Sequence, residues 1–249
     1  MSARKHTLLW GWLLALVAIV AFACAGRWQL GRMHEKQAML AAAEKAQDRS
    51  RAQPLLLASD PKRIESYDWA AGQGSIANTT LWLDNQQRGG RVGVRMYCVL
   101  LPQDGVQAVL VDAGWWPLES DRTLPVFGCP AGDVQAVRGL LAKPPSTGIA
   151  TGDALATQAD GRWLATRIDL PATAAALRLP TGIAPRVLRL DPQRNQGDAG
   201  VMLAPGERDL DILPNTLSPE RHLGYAVQWF GLAIAVLVIA LVMTFRKRK

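Results

Sequence analysis

Two uncharged apolar runs bracket this chain, at residues 8–25 and 223–245. Each is long enough to cross a bilayer, where roughly 20 apolar residues at about 1.5 Å rise span a hydrocarbon core of about 30 Å. Nearly 200 residues of soluble character lie between them. A chain built this way is expected to be a membrane protein, with two transmembrane helices holding one head on one side of a bilayer.

The flanking charge indicates which side. Arg4 and Lys5 precede the first run, and Arg246, Lys247, Arg248 and Lys249 follow the second. Basic residues beside a span stay cytoplasmic, and long loops cross regardless of their charge. The expected layout is a cytoplasmic N-terminus at 1–7, a first span at 8–25, an extracytoplasmic head at 26–221, a second span at 222–245 and a cytoplasmic C-terminus at 246–249. Six of the 28 Lys and Arg lie in the two flanks, which leaves the head 22 against its 21 Asp and Glu. The pI near 9.7 is therefore a topology signal. A nucleic-acid binder carries its basic excess on the folded domain, so no nucleic-acid partner is expected.

A cleaved signal peptide is the competing reading of the first run, because Ala23-Cys24-Ala25 is an acceptable small-x-small site. Retention is favoured on two grounds. The uncharged run exceeds the usual apolar region of about 7–15 residues. Residues 28–52 then continue with good helix formers, one Gly and no Pro, so 26–52 reads as a helical extension of the span. A mitochondrial presequence would be Arg- and Ser-rich, and only seven residues precede the run. A bacterial inner membrane is expected, with the head in the periplasm.

The head reads as strand-rich. Residues 60–74 look irregular, punctuated by Pro61, Gly72 and Gly74. Strands are expected at 78–83, 91–101, 107–112, 134–142 and 185–191, with Gln103-Asp104-Gly105 as a hairpin spacer and a short strand at 162–167. Residues 170–179 suit a short helix, with Pro171 in its first turn and Pro180 after it. Residues 191–219 read mostly as loop. The expected fold class is an α+β domain, built as an antiparallel sheet or open barrel with one or two helices.

Catalytic equipment is not evident. His34 and His222 are the head's two histidines, and both sit beside the spans. There is no His-x-x-x-His, G-x-S-x-G or glycine-rich phosphate loop. Glu207, Asp209 and Asp211 alternate in a loop and read as a solvated edge. Without a C-x-x-C, thiol exchange and copper delivery lose their usual ligands. Cys98 and Cys129 either pair in an oxidising compartment or stay as two partly buried thiols; the residues leave both open. Cys24 lies within the first span, as a lipid-exposed or packed thiol.

What remains gathers at the outer membrane edge. Just past the first run come Gly26, Arg27, Trp28, Gln29, Arg32, His34, Glu35 and Lys36; just before and into the second come Arg221, His222, Tyr225, Gln228, Trp229 and Phe230. At 100° per residue, Trp28, Arg32 and Glu35 share one helical face, and His222, Tyr225, Ala226 and Trp229 share another. The topology places both clusters at one depth. Trp, Tyr and Arg are ordinary interface anchors. His222 is not, and an ionisable residue at membrane depth points to function.

These residues resemble the surfeit-locus protein 1 family of cytochrome oxidase assembly factors. The family's entry motif G-x-W-Q-x-x-R-x-x-x-K is matched by Gly26, Trp28, Gln29, Arg32 and Lys36, and its return motif H-x-x-Y-A-x-Q-W-F by His222, Tyr225, Ala226, Gln228, Trp229 and Phe230. Val109–Pro117 is similar to the family's L-V-N-R-G-W-V-P stretch, with Asp112 and Ala113 in place of Asn-Arg; Arg138-Gly139-Leu140-Leu141 is similar to its R-G-x-hydrophobic strand. The resemblance implies a role in assembling haem-copper terminal oxidases, with oxidase subunit I and other assembly factors as partners, haem a as a transient cofactor and no enzymatic activity. His222 would then be the axial ligand of the haem iron. Arg32, with Arg27 or Lys36, would pair with propionates. Trp28, Tyr225 and Trp229 would flank the macrocycle, with Gln29 beside them. The alternative is a haem-free scaffold that docks oxidase subunits or other assembly factors.

Overall fold

The computed structural model describes residues 2–105, 107–147, 151–158, 161–193, 207–213 and 216–246. The chain divides into two compact units, Met1–Leu40 with Thr216–Lys249, and Ala41–Asn215. Helix α1 (Ser2–Lys45) runs unbroken through the first apolar run and well beyond it. Asp48 then caps a short 3₁₀ turn at Arg49–Arg51, accepting from the Ser50 amide. Strands β1 (Gln53–Pro54), β2 (Asp68–Arg88), β3 (Arg91–Pro102), β4 (Val109–Pro117), β5 (Gly132–Ala142), β6 (Leu155–Thr157) and β7 (Trp163–Ala165) follow. Helix α2 (Leu170–Ala176), strand β8 (Val187–Leu190) and helix α3 (Pro219–Phe245) complete the order. Asp169 caps α2 by accepting from the Ala172 amide. Pro219 opens α3, where a proline costs little because the first amides of a helix lack an internal partner; the helix thus starts three residues before His222. Of the loop expected at 191–219, residues 194–206 and 214–215 lie outside the described residues.

Two expectations about the sheet need correction. The sheet is not open: β2 pairs with β3 on one side and β5 on the other, and β3–β4, β4–β8 and β8–β5 close the ring. Nor is it purely antiparallel, since β4–β8, β2–β7 and β1–β2 run parallel. Parallel neighbours need a long crossover, and the chain from β5 through α2 supplies one between β4 and β8. The third correction concerns residues 68–74, expected to be irregular and found inside β2. Their glycines serve close packing. A Cβ on Gly72 would strike the Leu55 side chain, and one on Gly74 the Leu101 carbonyl, as happens where another chain segment approaches a strand closely.

Alternation along the strands gives the barrel two buried faces. Val94, Met96, Cys98 and Leu100 of β3 join Val109, Val111 and Ala113 of β4 in one apolar cluster. Tyr97, Val99, Leu110 and Val187 belong to a second, against which Leu170, Ala174 and Leu177 of the α2 region pack. Cys98 and Cys129 form a disulfide across 31 residues, a loop closure worth roughly 3–4 kcal/mol. It fastens the loop after β4. There the Thr80 hydroxyl accepts from the Cys129 amide at 2.7 Å, and Phe127 packs on Trp116 with ring centroids 4.3 Å apart.

A buried charge network lies beside the second cluster. Asp112 of β4 accepts from Arg95 of β3 at 3.0 Å and lies 3.7 Å from Arg189 of β8. Asp209 reaches the same guanidinium groups, at 2.8 Å from Arg95 and 3.5 Å from Arg189. Asp209 is therefore no solvated edge. Its segment is tied down by Glu207, whose backbone exchanges hydrogen bonds with Trp115, and by Leu210 and Ile212 packing with Trp69, Leu140 and Ala43. Burial works against the Arg95 charge, but Asp112 and Asp209 outweigh it and hold its pKa above the ordinary arginine value. A second fully buried guanidinium, Arg186, pairs with Asp68 at 2.7 Å and donates to the carbonyls of Leu57, Ser66 and Leu141.

Candidate functional site

The site is built on two antiparallel helices. At one end the Trp12 indole donates to the Thr244 hydroxyl at 3.0 Å. Midway, Phe22 meets Trp229 with ring centroids 5.6 Å apart. Next, the Phe230 ring lies where a Cβ on Gly26 would be; that glycine lets the ring sit on the backbone of α1. At the other end, Nδ1 of His222 lies 2.6 Å from Oε1 of Gln29, a buried contact between residues 193 apart in sequence. Both helices are long and apolar enough to cross a membrane. Away from their shared seam they leave Leu9, Leu14, Val17, Val227, Ile234 and Val242 exposed.

Helical periodicity explains which residues meet. Gly26, Gln29, Met33 and Lys36 recur at spacings of three, four and three and form one buried stripe of α1. His222 and Ala226, four apart, form the buried stripe of α3. An amide oxygen only accepts, so Gln29 Oε1 takes the Nδ1–H, which in the neutral imidazole is the tautomer protonated at that nitrogen. The lone pair is then left on Nε2.

The expected cluster is partly reorganised by this packing. His222 and Gln29 come together. Trp229 sits two turns further along α3, against Phe22. Trp28 lies about 100° round the helix from Gln29 and is 61% exposed. Arg32 shares that outer face and is ion-paired with Glu35 at 2.5 Å. Tyr225 is also exposed. The Trp28–Arg32–Glu35 face does exist, but it is turned away from the stripe that carries Gln29. The feature the face argument missed is the burial of Lys36, legible afterwards in its spacing from Gly26, Gln29 and Met33. Cys24 is exposed on α1.

Chemically, the seam offers one imidazole nitrogen and a glutamine that fixes its tautomer. Among the described residues no group of three or more His, Cys, Asp or Glu could hold a bare metal ion. A single imidazole suits a metal whose other ligands come with it, as in a macrocycle.

Over residues 16–234 the sequence matches the model of the SURF1 family. That span includes the seam from Leu16 to Ile234 and the entire barrel. No curated protein matches the chain.

Proposed function

The chain belongs to the SURF1 family, a family of cytochrome oxidase assembly factors rather than a class of enzymes. From that premise we propose that it holds haem a transiently at the outer face of a bacterial inner membrane and passes it to subunit I of a haem-copper oxidase. The observation that carries this reading is the buried His222–Gln29 pair at the end of an apolar helix seam. Orienting a ligand histidine through its other ring nitrogen is the usual way a protein fixes its tautomer. A haem is a large apolar plate with two carboxylates, suited to the boundary between lipid and water. The antiparallel helices support a topology with both termini on one side, and the Cys98–Cys129 disulfide supports an oxidising compartment for the barrel.

His222 is only 6% exposed, so the imidazole is held between the two helices and its orientation is fixed. The test is to purify the full chain from cells that make haem a and record its absorption spectrum. A haem band is expected, and it should be lost in His222→Ala. A haem-free wild-type protein that copurifies with oxidase subunits would replace this reading with the scaffold alternative.

A further inference from the structure

Away from the seam, α3 presents two exposed flanks, and they differ. At 100° per residue, Leu223, Val227, Ile234 and Val238 share one flank, and all four are exposed aliphatics. Arg221, Tyr225, Gln228, Leu232 and Ile239 share the other, at spacings of four, three, four and seven, and all five are exposed. Depth alone would make both flanks polar over the same turns. Only the second is: it passes from a guanidinium to a phenol to a primary amide, and then to hydrocarbon. The side chains of Arg221, Tyr225 and Gln228 engage no other side chain among the described residues. Arg32 on α1, by contrast, is held by Glu35.

The helix rises about 6 Å from Arg221 to Tyr225 and about 4.5 Å more to Gln228. The headgroup layer between hydrocarbon and water is about 5–7 Å deep on each side of a bilayer. With α3 entering the bilayer near His222, Arg221 lies at headgroup depth and Gln228 at the boundary with the hydrocarbon. A primary amide that faces hydrocarbon without a partner is costly. Acyl chains offer it no acceptor, whereas a lipid's ester carbonyls lie at that boundary and accept from its N–H groups.

We propose that this flank of α3 is a binding site for one phospholipid. Arg221 donates to the phosphate, as guanidinium groups do in phosphate recognition. Gln228 donates to an ester carbonyl, the Tyr225 hydroxyl donates between the two, and Leu232 and Ile239 lie along an acyl chain. The assignment rests on the membrane reading of the two helices and is independent of haem.

The experiment uses the full chain in detergent, with lipid retention read by native mass spectrometry. Its three probes are phosphatidylglycerol, the diether analogue that lacks the ester carbonyls, and diacylglycerol, which lacks the phosphate. Wild type is expected to hold one phosphatidylglycerol about tenfold tighter than diacylglycerol, the worth of a charged hydrogen bond, and about threefold tighter than the diether, the worth of a neutral one. Arg221→Met should lose the first preference and keep the second; Gln228→Leu should lose the second and keep the first. That reciprocal pattern separates a lost contact from a lost fold. Val227→Ala, on the aliphatic flank, should change neither. Both preferences persisting in both variants, or a wild type that holds no lipid, overturns the proposal. So does a dimer that Gln228→Leu dissolves, since a second copy would then cover the flank. Release of the chain from membranes by alkaline carbonate would overturn the membrane reading and the proposal with it, whereas retention leaves that reading standing whichever way the lipid result falls.

Discussion

In the barrel, Arg95 and Arg189 are buried against Asp112 and Asp209, two charges against two. On the helix pair, the buried His222 has a neutral amide, that of Gln29, as its hydrogen-bond partner among the described residues. A network whose opposite charges answer one another serves to hold strands and connecting segments together, although Arg95 Nε and Arg189 Nη1 have no hydrogen-bond partner among the described residues. The seam's imidazole uses one ring nitrogen on Gln29, and on the proposed reading the other is left for a ligand. The barrel's charges are structural on this contrast, and the seam's imidazole is the group that the proposed function uses. Both assignments can be broken.

The largest expected effect is in the barrel. Asp112→Ala removes one partner and leaves Arg95 and Arg189 with Asp209 alone. Removing one side of a buried ion pair costs about 3–5 kcal/mol. Urea unfolding followed by tryptophan fluorescence should report a loss of that order, while the folded fraction keeps whatever ligand binding the seam has. A loss under about 1 kcal/mol would mean the network is not what joins β3, β4 and β8.

A smaller effect should appear with acid. Burial alone would raise the Asp209 pKa, but Arg95 and Arg189 outweigh it and hold the carboxyl below the usual range. A carboxyl depressed on folding contributes stability above its unfolded pKa of about 4 and loses it as pH falls through the folded value. Melting temperature should therefore be level from neutrality down to about pH 4 and fall below that. Asp209→Asn should melt lower at neutral pH and show a shallower fall. A wild-type curve that drops between pH 7 and 5 would point to a different group.

How far the two regions could be read in advance follows from the same contrast. The two apolar helices and the short strands were legible because hydrophobic runs and alternation are local signals. The early proline of α2 was local too. Barrel closure was not, because it depends on one long strand serving two partners, and Gly72 and Gly74 inside it look like turn residues until Leu55 and the Leu101 carbonyl are seen beside them. The Asp112 network was hidden for a similar reason, since its four residues are scattered from 95 to 209. At the seam, the residue types were visible in sequence but the facing stripe was not. Counting from Trp28 selects Arg32 and Glu35; counting from Gly26 selects Gln29, Met33 and Lys36. The choice is made by Phe230, which needs the glycine.

The smallest stability effect, and the sharpest test of the contrast, belongs to Gln29→Leu. Polar contacts between membrane helices average about 0.6 kcal/mol, so the variant should unfold close to wild type. The change should appear instead at His222. With the amide oxygen gone, nothing in the seam selects the Nδ1–H form, and nitrogen chemical shifts of labelled His222 should move from one tautomer toward a mixture. An unchanged tautomer would remove the positioning role from Gln29. A stability loss as large as that of Asp112→Ala would make the pair a structural clamp like the barrel's network, and the imidazole would then have no reserve capacity to offer an iron.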